Sequence, residues 1–298
     1  MNMKTGILTI IKNEHLYLDE WIKYHLSIGI DKIYIFEDIG SLSHKDICSK
    51  YINVECKSIL SVYNAFDRNN VINIKTEHTD IHGLQIEFFK RCLDYIKKAD
   101  NLDLVAYIDS DEFITLENKD SNISDVLKQY NNYGLIILQW LNYNANGHIL
   151  KPTGGVQLNY NTTCQLYTGK RMASQASCKM MFNMHKWNSK IIRCNMHIPD
   201  FPNNSKLCNW CKTDFSTDLN VPVYDKIYIR HYITKSFEEF CVKIFVRGQF
   251  CGSKDLNTFF NFNPDISRSD PTVKEILQQY FDKYMSGDLK FMPRISNR

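Results

Sequence analysis

The sequence predicts an α/β fold in which a central, mostly parallel sheet is flanked by helices and precedes a loop-rich second half. Short apolar segments rich in β-branched residues alternate with amphipathic helical segments over the first 130 residues, which is the pattern of βαβ units. Several of these apolar segments end at polar or acidic residues. From residue 150 to 220, helical periodicity is scarce while Gly, Asn, Pro and Thr are frequent, which favours loops and short strands.

The first predicted elements are a strand, a helix and a second strand. Residues 6–11 are rich in β-branched side chains up to Lys12, which predicts a strand with a polar end. Apolar residues between 16 and 28 repeat at helical spacing and stop at Gly29, so we expect a helix there. A second strand is expected at 30–36. Together these elements form a βαβ unit.

The later elements follow from the same rules. Residues 83–98 place apolar side chains on one helical face and lead into a buried strand at 104–108. A short helix is expected at 124–130, with Ser121 or Ser124 as its N-cap. Further strands are expected at 134–141, 191–197 and 224–232, and further helices at 236–248 and 272–285.

Composition restricts the class of protein. The 298 residues are 44% hydrophobic and 23% charged, which suffices for one large α/β domain or two small ones. The net charge is only +3, and acids interleave with the basic residues, so no nucleic-acid partner is expected. The ten cysteines lack regular spacing, and the close pair Cys208 and Cys211 has no second pair to complete a zinc site. We therefore expect reduced thiols, and no signal peptide or membrane-spanning segment.

The buried strand at 104–108 is followed by three acids, Asp109, Asp111 and Glu112. In open α/β sheets, ligands bind at the carboxyl ends of the strands. Burying the three carboxylates together without counter-charges would cost several kcal/mol each. A bound divalent cation removes that cost, and an Asp-x-Asp pair offers the hard oxygen ligands that Mg²⁺ or Mn²⁺ prefers. The alternative interpretation is a solvated turn after a core strand.

Polar side chains also follow the first two predicted strands. Asn13 and Glu14 come after the first strand, and Asp38 and Ser41 come after the second. Because the carboxyl ends of parallel strands share one edge of a sheet, we expect these residues and the acids after 108 to converge. The sequence has no glycine-rich loop of the dinucleotide-binding or phosphate-binding type. A nucleotide bound at this edge would need a metal ion and basic side chains to balance its diphosphate charge.

As a set, these motifs and several later ones resemble the GT-A glycosyltransferases of family 92 and their bacterial relatives. The resemblance spans roughly residues 7 to 250, and the order and spacing of the motifs make it specific. It rests on Lys12-Asn13-Glu14, Leu18-Asp19-Glu20-Trp21, Tyr24-His25, Gly29, Asp38-Ile39-Gly40-Ser41, Gln85, Ile108-Asp109-Ser110-Asp111-Glu112-Phe113, Trp140, Asn146-Gly147-His148, Lys179, His197-Ile198-Pro199, Ile229-Arg230-His231-Tyr232, Lys235-Ser236, Glu239-Phe240, Lys243 and Arg247-Gly248.

The resemblance implies a single GT-A, Rossmann-like domain over residues 1–298. Its nucleotide-binding half is expected at 1–130. Its acceptor-binding half, with a C-terminal metal-binding histidine, is expected at 131–250, and a helical extension at 251–298. Eukaryotic members usually carry an N-terminal membrane anchor, and no such anchor is expected here. We therefore expect a cytoplasmic enzyme, with peripheral contact to the inner face of the membrane if its acceptor is lipid-linked.

Residue by residue, the resemblance implies that Asp109 and Asp111 bind Mn²⁺ or Mg²⁺ together with the donor's ribose and diphosphate. His231 matches the histidine that such enzymes often add to the metal, and Asp38 matches the acid that meets the nucleotide base or ribose. A buried core histidine and a turn cap are the equal alternatives for these two residues. The residues implied in nucleotide-sugar binding are Asn13, Glu14, Asp38, Gln85, Asp109 and Lys235.

On the acceptor side, a carboxylate is expected to remove the proton from the acceptor hydroxyl. The candidates between the Asp-x-Asp pair and the C-terminal histidine are Asp200, Asp214 and Asp218, of which Asp200 is preferred. The residues implied in acceptor binding are Trp140, His148 and His197. The candidates for stacking on a sugar ring are Trp140, Trp187 and Trp210, and a partly buried core position is the alternative for each of these tryptophans.

The implied function is transfer of a sugar, with inversion, from a nucleotide-sugar donor of the UDP-sugar type to a glycan or lipid-linked glycan. The implied setting is the assembly of surface polysaccharide or lipopolysaccharide. Paired carboxylates also serve nucleotidyl transfer and phosphohydrolysis, so these reactions are alternatives, as is sugar transfer with retention. A non-catalytic carbohydrate-binding protein with a degenerate site is a further alternative.

Overall fold

A computed structural model describes residues 3–63, 81–119, 121–164, 178–188, 193–194, 199–200, 211–212, 226–246, 256–269 and 271–286. The chain forms two compact units. Unit 1 comprises Met1–Leu141 and Arg171–Arg230, and unit 2 comprises Asn142–Lys170 and His231–Arg298. The predicted inner boundaries after residues 130 and 250 remain predictions. Within the described ranges, no helix combines the length and the apolar character that a membrane crossing requires.

The strands of the main sheet are β1 (Thr5–Ile11), β2 (Lys32–Glu37), β3 (Val54–Ser58), β4 (Leu104–Tyr107), β5 (Glu112–Leu116), β6 (Leu135–Asn142), β7 (Cys178–Asn183), β10 (Cys211–Lys212) and β11 (Ile227–His231). Their spatial order is β3-β2-β1-β4-β7-β6-β11-β5, with β10 beside β6. Two further strands, β8 (Arg193–Cys194) and β9 (Pro199–Asp200), pair with each other. This sheet and the helices around it confirm the predicted α/β class.

The first part of the sheet is parallel and contains the predicted βαβ unit. β1 pairs in parallel with both β2 and β4, and β2 pairs in parallel with β3. Helix α1 (Leu18–Ser27) connects β1 to β2. The helix ends just before Gly29, whose φ of +97° suits a glycine and strains other residues. The side chains that α1 buries are Leu18, Trp21, Ile22 and His25.

The centre of the sheet is antiparallel. β7 lies between β4 and β6, runs antiparallel to both, and has all of its residues buried. The sequence predicts only loops and short strands between 150 and 220 and does not single out this strand. The reason is that β7 is stabilised by pairing with two strands that are distant in the chain, and no local pattern carries that information.

The described α-helices after α1 are α2 (Lys45–Cys48), α3 (Ile81–Ala99), α4 (Ile123–Leu127), α5 (Val156–Asn159), α6 (Phe237–Cys241), α7 (Leu256–Phe262), α8 (Pro264–Ser269) and α9 (Pro271–Met285). Short 3₁₀-helices span Ile59–Val62 and Lys128–Tyr130, and a π-helix spans Val242–Val246. The predicted helices at 83–98, 124–130, 236–248 and 272–285 correspond to α3, α4, α6 and α9. The N-cap of α4 is Asn122, whose Oδ1 accepts a hydrogen bond from Ser124 N at 2.9 Å. Both serines predicted as the cap are therefore wrong.

Each unit has its own hydrophobic core. In unit 1, α3 buries Phe88, Phe89 and Leu93 in a cluster with sheet residues. In unit 2, α6, α7 and α9 bury Phe240, Phe259 and other apolar side chains in a second cluster. The sequence did not predict α7 or α8. Of the strand predicted at 191–197, the described residues are the two of β8, and the strand predicted at 224–232 corresponds to β11.

Candidate active site

The carboxyl ends of β2, β1 and β4 lie side by side, because the three strands are adjacent and parallel. The segments that follow them begin at Asp38, Lys12 and Ile108. One edge of the sheet therefore carries all the polar residues that were predicted to converge, which agrees with the sequence prediction. Such an edge is where open α/β sheets bind their ligands.

Asn13 ties two of the strand-end loops together. Its φ of +56° is uncommon for a residue other than glycine. The Asn13 Oδ1 accepts a hydrogen bond from Leu42 N at 2.8 Å, and the Asn13 N donates one to Ser41 Oγ at 3.2 Å. The next amide, Glu14 N, donates to His44 Nε2 at 3.0 Å. These contacts give Asn13 a structural role, and the nucleotide contacts of Asn13 and Glu14 remain predictions.

Asp38 begins the loop after β2 and adopts the geometry of a turn cap. Its Oδ1 accepts a hydrogen bond from Ile39 N at 2.7 Å. Its main-chain carbonyl accepts one from Ser41 N at 3.0 Å, and its own N–H donates to Ile11 O at 2.8 Å. The turn cap is one of the two interpretations that the sequence left open for Asp38. Its contact with a nucleotide base or ribose remains a prediction.

Residues 109–112 form a tight turn between β4 and β5. Asp109 N donates a hydrogen bond to Glu112 Oε2 at 2.8 Å, and Glu112 N donates one to Asp109 O at 3.1 Å. The turn is anchored to α1 by Trp21 Nε1, which donates to Glu112 O at 2.7 Å. The Glu112 side chain is fully buried, whereas 39% of the Asp109 side chain is exposed. The turn therefore buries Glu112 inside the protein and leaves Asp109 accessible.

A buried lysine of β7 lies beneath this turn. The side chain of Lys179 is fully excluded from solvent, and its Nζ lies 2.7 Å from Asp109 Oδ2 and 3.8 Å from Glu112 Oε1. The Nζ also lies 5.0 Å from the ring centroid of Tyr107 and 5.9 Å from that of Trp140, within the range of cation–π attraction. Asp109 and Glu112 therefore have a counter-charge inside the protein that the sequence did not predict.

Burial and the neighbouring charges of opposite sign have opposite effects on the pKa values of Glu112 and Lys179. Burial raises the pKa of Glu112 well above its usual range, and the positive charge of Lys179 opposes that rise. Burial alone would lower the pKa of Lys179, but the nearby Asp109 and Glu112 together outweigh it and hold this pKa above its usual value. Lys179 is therefore a cation at neutral pH. Glu112 Oε1 accepts no hydrogen bond from the described residues.

Asp109 and Asp111 fit a divalent cation by the chemistry of their donor atoms. Carboxylate oxygens are the ligands that Mg²⁺ and Mn²⁺ prefer. Glu112 does not join them, because its side chain is buried and accepts a hydrogen bond from the turn itself. Within neither unit do the described residues bring three or more His, Cys, Asp or Glu side chains into positions that could hold a metal ion. Two carboxylates still suffice for a cation that also binds substrate phosphates and water.

Unit 2 carries the histidine predicted as the third metal ligand. His231 is 4% exposed, and its Nδ1 lies 3.0 Å from Asn142 Oδ1. This contact fixes the orientation of the ring, and coordination of a metal by His231 remains a prediction. Two other predicted residues also lie in unit 2: the ring of His148 meets that of Tyr160 edge-on at 5.7 Å, and Lys235 is buried with a φ of +53°.

The tryptophans predicted to stack on sugar rings differ in their surroundings. Trp187 is buried in the core of unit 1, where its ring contacts Phe89 and its Nε1 donates to Asp94 Oδ1 at 2.7 Å. The prediction that Trp187 stacks on a sugar is therefore wrong. Trp140 is 7% exposed, with its ring near the Lys179 ammonium, and its contact with the acceptor remains a prediction.

Two of the predicted residues are described only through their backbone. Gln85 lies in α3, and Asp200 lies in β9 opposite Arg193. Their roles in donor binding and in proton removal remain predictions. Four further predicted residues lie outside the described residues, namely His197, Trp210, Asp214 and Asp218.

Lys179 belongs to the motifs of the family resemblance, but no role was predicted for it. The available signal is its position as the one charged residue of Cys178–Asn183, a segment whose other side chains are mostly apolar. Lysine is almost never fully buried unless it is paired with an acid. A lone lysine in an apolar strand therefore indicates a buried carboxylate nearby, although it does not indicate which one.

Comparisons with known proteins bear on the class of this chain. The model of glycosyltransferase family 92 matches residues 8–243. No curated protein matches the chain. Among solved structures, glucosyl-3-phosphoglycerate synthase from Mycobacterium tuberculosis, in complex with Mn²⁺, uridine diphosphate and phosphoglyceric acid, is 11% identical with a TM-score of 0.32, and the match covers 61% of this chain and 56% of that chain. A 4-diphosphocytidyl-2C-methyl-D-erythritol synthase is 10% identical with a TM-score of 0.33, over 62% of this chain and 76% of that chain.

The chain thus spans just over half the length of the first of these solved structures. The family match covers most of the 298 residues and agrees with the resemblance seen in the motifs. It identifies the chain as an enzyme of the glycosyltransferase class. The chain belongs to glycosyltransferase family 92.

Proposed function

We propose that this glycosyltransferase moves a sugar from a UDP-sugar to a hydroxyl group of a glycan, with inversion and with the help of Mn²⁺ or Mg²⁺. The observation that carries the proposal is the position of Asp109 and Asp111. They lie in the turn after β4, at the sheet edge that β1 and β2 also reach with their carboxyl ends. Neighbouring strand ends at one edge provide a ligand crevice, and the acid pair provides hard oxygen ligands within it.

In this proposal, Asp109 and Asp111 hold the cation. When bound, the cation supplies positive charge to the diphosphate of the departing nucleotide. The loops that Asn13 ties together, and Asp38 at the start of the second loop, bind the nucleoside. The hydrogen bonds that tie these loops together support this role, because a site held in one geometry orients its ligand at a lower entropic cost. His231 and Lys235 of unit 2 add a metal ligand and a cation for the diphosphate.

For the acceptor, we assign proton removal to Asp200 and positioning to His148, His197 and Trp140. Inversion requires a base on the acceptor side of the sugar, and a carboxylate within hydrogen-bond reach of the hydroxyl performs this step. The acceptor class is a glycan or lipid-linked glycan of surface polysaccharide or lipopolysaccharide assembly, on the strength of the family resemblance alone. A lipid-linked acceptor would bring the chain to a membrane surface, and the exposed Ile276 and Met285 of α9 suit such a contact.

A panel of nucleotide sugars with Mn²⁺ tests the proposal. We expect turnover with a UDP-sugar, and a loss of about a hundredfold or more in Asp111→Asn, which keeps the shape of the side chain but removes its charge. Asp125→Asn is the matched control, because Asp125 is 63% exposed in a surface ion pair with Lys128. The control should retain full activity.

Product analysis separates sugar transfer from the other reactions of paired carboxylates. From a nucleotide-sugar donor, a glycosyltransferase releases an intact nucleoside diphosphate. Nucleotidyl transfer instead releases sugar 1-phosphate, and hydrolysis of the diphosphate bond releases nucleoside monophosphate together with sugar 1-phosphate. Absence of turnover with every donor, together with nucleoside diphosphate binding that is indifferent to Mn²⁺, would contradict the proposal and favour a non-catalytic binding protein. The anomeric configuration of the product distinguishes inversion from retention.

A further inference from the structure

Lys179 is fixed more firmly than a ligand-binding lysine on a loop would be. Its backbone pairs with Leu138 of β6, and the backbone of the next residue, Met180, pairs with Tyr107 of β4. The side chain is enclosed, with the rings of Tyr107 and Trp140 near its ammonium group. Because the ammonium is fully buried, it reaches Asp109 from inside the protein and does not face the accessible side of the site.

This ammonium and a bound cation would share one carboxylate. Lys179 Nζ lies 2.7 Å from Asp109 Oδ2, so a cation held by Asp109 and Asp111 would lie within a few ångströms of a fixed positive charge. Two like charges at such a separation repel each other, and a partly buried site screens the repulsion less than water does. Without a bound cation, the same ammonium balances the charge of Asp109 and keeps the turn at 109–112 in place.

We propose that Lys179 is a built-in counter-cation, a positioning residue that holds Asp109 when no metal is bound and lowers the affinity of the site for the metal. The inference rests on the proposed function, because it takes Asp109 and Asp111 as the metal-binding pair. A moderate affinity has a use in this reaction class. It lets the cation arrive with the nucleotide sugar and leave with the nucleoside diphosphate.

The test is Mn²⁺ binding to the full chain, measured from the electron paramagnetic resonance signal of free Mn²⁺, with thermal unfolding measured alongside. Lys179→Met keeps most of the length of the side chain but removes its charge. We expect it to bind Mn²⁺ about tenfold more tightly, the size of effect that an adjacent charge has on an ionisable group. Its Tm without metal should fall by several degrees, and Mn²⁺ should raise that Tm more than it raises the wild-type value.

Two control variants separate charge from packing. Lys179→Arg retains the positive charge, so its Mn²⁺ affinity should stay within about threefold of the wild-type value. Lys128→Met removes an exposed lysine of unit 1 that forms a surface ion pair with Asp125, and it should change neither Mn²⁺ affinity nor Tm. A purely structural lysine would lower Tm on substitution but would leave the Mn²⁺ affinity of the folded protein unchanged.

Each outcome has a distinct meaning. Wild-type Mn²⁺ affinity in Lys179→Met overturns this inference and leaves the proposed function intact. Absence of Mn²⁺ binding in both the wild type and Lys179→Met overturns the inference together with the metal part of the proposed function. If Lys179→Met folds only when Mn²⁺ is present, the inference is supported, because the metal then replaces the missing ammonium. If it stays unfolded at millimolar Mn²⁺, the inference is overturned.

Discussion

The two units each bury a glutamate, and the two glutamates are satisfied in different ways. In unit 2, Glu239 Oε2 accepts hydrogen bonds from the Tyr160 hydroxyl, from Ser236 Oγ at 2.7 Å and from Ser236 N at 3.3 Å. In unit 1, Glu112 Oε2 accepts one hydrogen bond from Asp109 N at 2.8 Å. The other oxygen of Glu112 accepts none from the described residues and lies 3.8 Å from the Lys179 ammonium.

The difference indicates what each acid does. Glu239 completes a capping box at the start of α6, so its contacts hold a helix in place. Glu112 shapes the turn that carries Asp109 and Asp111, and it remains only partly satisfied. Buried polar groups that serve stability are usually saturated with hydrogen bonds, while incompletely satisfied ones concentrate at functional sites. We therefore expect Glu239 to matter more for stability and Glu112 to matter more for activity.

Substitution of each glutamate by alanine tests this comparison directly, with the largest effect expected in unit 2. Glu239→Ala removes the acceptor of a buried hydroxyl and half of the capping box, which should lower the free energy of unfolding by about 3 kcal/mol. Glu112→Ala removes one hydrogen bond and one of the two acids near the Lys179 ammonium, which stays paired with Asp109. It also relieves an unsatisfied buried oxygen, so its net effect should be about 1 kcal/mol. Denaturant unfolding measures both, and hydrogen exchange assigns each loss to its unit.

Activity should show the reverse order. Glu112→Ala loosens the turn at 109–112 and should reduce turnover strongly, whereas folded Glu239→Ala should retain more activity. If Glu112→Ala proves the more destabilising variant and the more active one, the assignment of a structural acid to unit 2 and a functional acid to unit 1 is wrong.

A buried histidine of unit 1 extends the comparison, because both of its ring nitrogens form hydrogen bonds and it therefore resembles Glu239 more than Glu112. His25 Nδ1 donates to Trp21 O at 2.9 Å, and His25 Nε2 accepts from Ile114 N at 3.1 Å. The ring is thus held in its neutral form. Burial lowers the pKa of His25 to about 3. The hydrogen bond to the Trp21 carbonyl opposes this shift, and the charge of Arg230 adds a smaller lowering effect.

The sign of the pH dependence follows from this shift. The unfolded chain binds a proton at His25 below its ordinary pKa of about 6.5, while the folded protein does not do so until about pH 3. Stability is therefore fully present above pH 6.5 and falls as the pH drops, by about 1.4 kcal/mol per unit. Between pH 6.5 and 5 this residue should remove about 2 kcal/mol, measured by denaturant unfolding at each pH.

His25→Gln is the matched variant for this prediction. Its amide oxygen can accept the hydrogen bond of Ile114 N, and glutamine does not titrate in this range. The variant should be less stable than the wild type at pH 7 but should lose less stability on acidification. Equal losses in the two proteins would mean that other groups cause the acid sensitivity.

Local patterns were sufficient to predict some of these features and insufficient for others. The βαβ unit and the acids after β4 were predictable, because apolar periodicity and the abrupt end of an apolar run are properties of neighbouring residues. The place of β7 in the sheet, and with it the contact between Lys179 and Asp109, depends on strand pairing across about 70 residues of chain. The counter-charge of Asp109 could not be predicted for this reason, since it comes from a distant strand.

The N-cap of α4 also could not be predicted from neighbouring residues, although it concerns a single helical turn. Serine and asparagine are almost equally good N-cap residues, so the sequence around 121–124 does not determine which one begins the helix. The choice is made by a contact from outside the segment. Ile123 N donates to Ile28 O at 2.9 Å, and Asn122 lies against Gly29, where a Cβ would come within 2.2 Å of Asn122 Nδ2. Packing against the end of α1 therefore places Asn122 at the cap.

Substitution of Asn122 has the smallest predicted effect on stability. Asn122 is an exposed hydrogen-bond acceptor, in contrast to the buried Glu112 and Glu239. Its Oδ1 accepts the hydrogen bond of Ser124 N at the surface, where water can replace a lost partner. Asn122→Ala should therefore lower the free energy of unfolding by about 1 kcal/mol, the usual value of an N-cap. Ser124→Ala is its control and should be neutral or slightly stabilising, because alanine favours a helix interior. A larger loss of stability in Ser124→Ala than in Asn122→Ala would assign the cap to the serine. A loss of stability in Asn122→Ala equal to that in Glu239→Ala would contradict the distinction between exposed and buried hydrogen bonds. The comparison of the two units depends on that distinction.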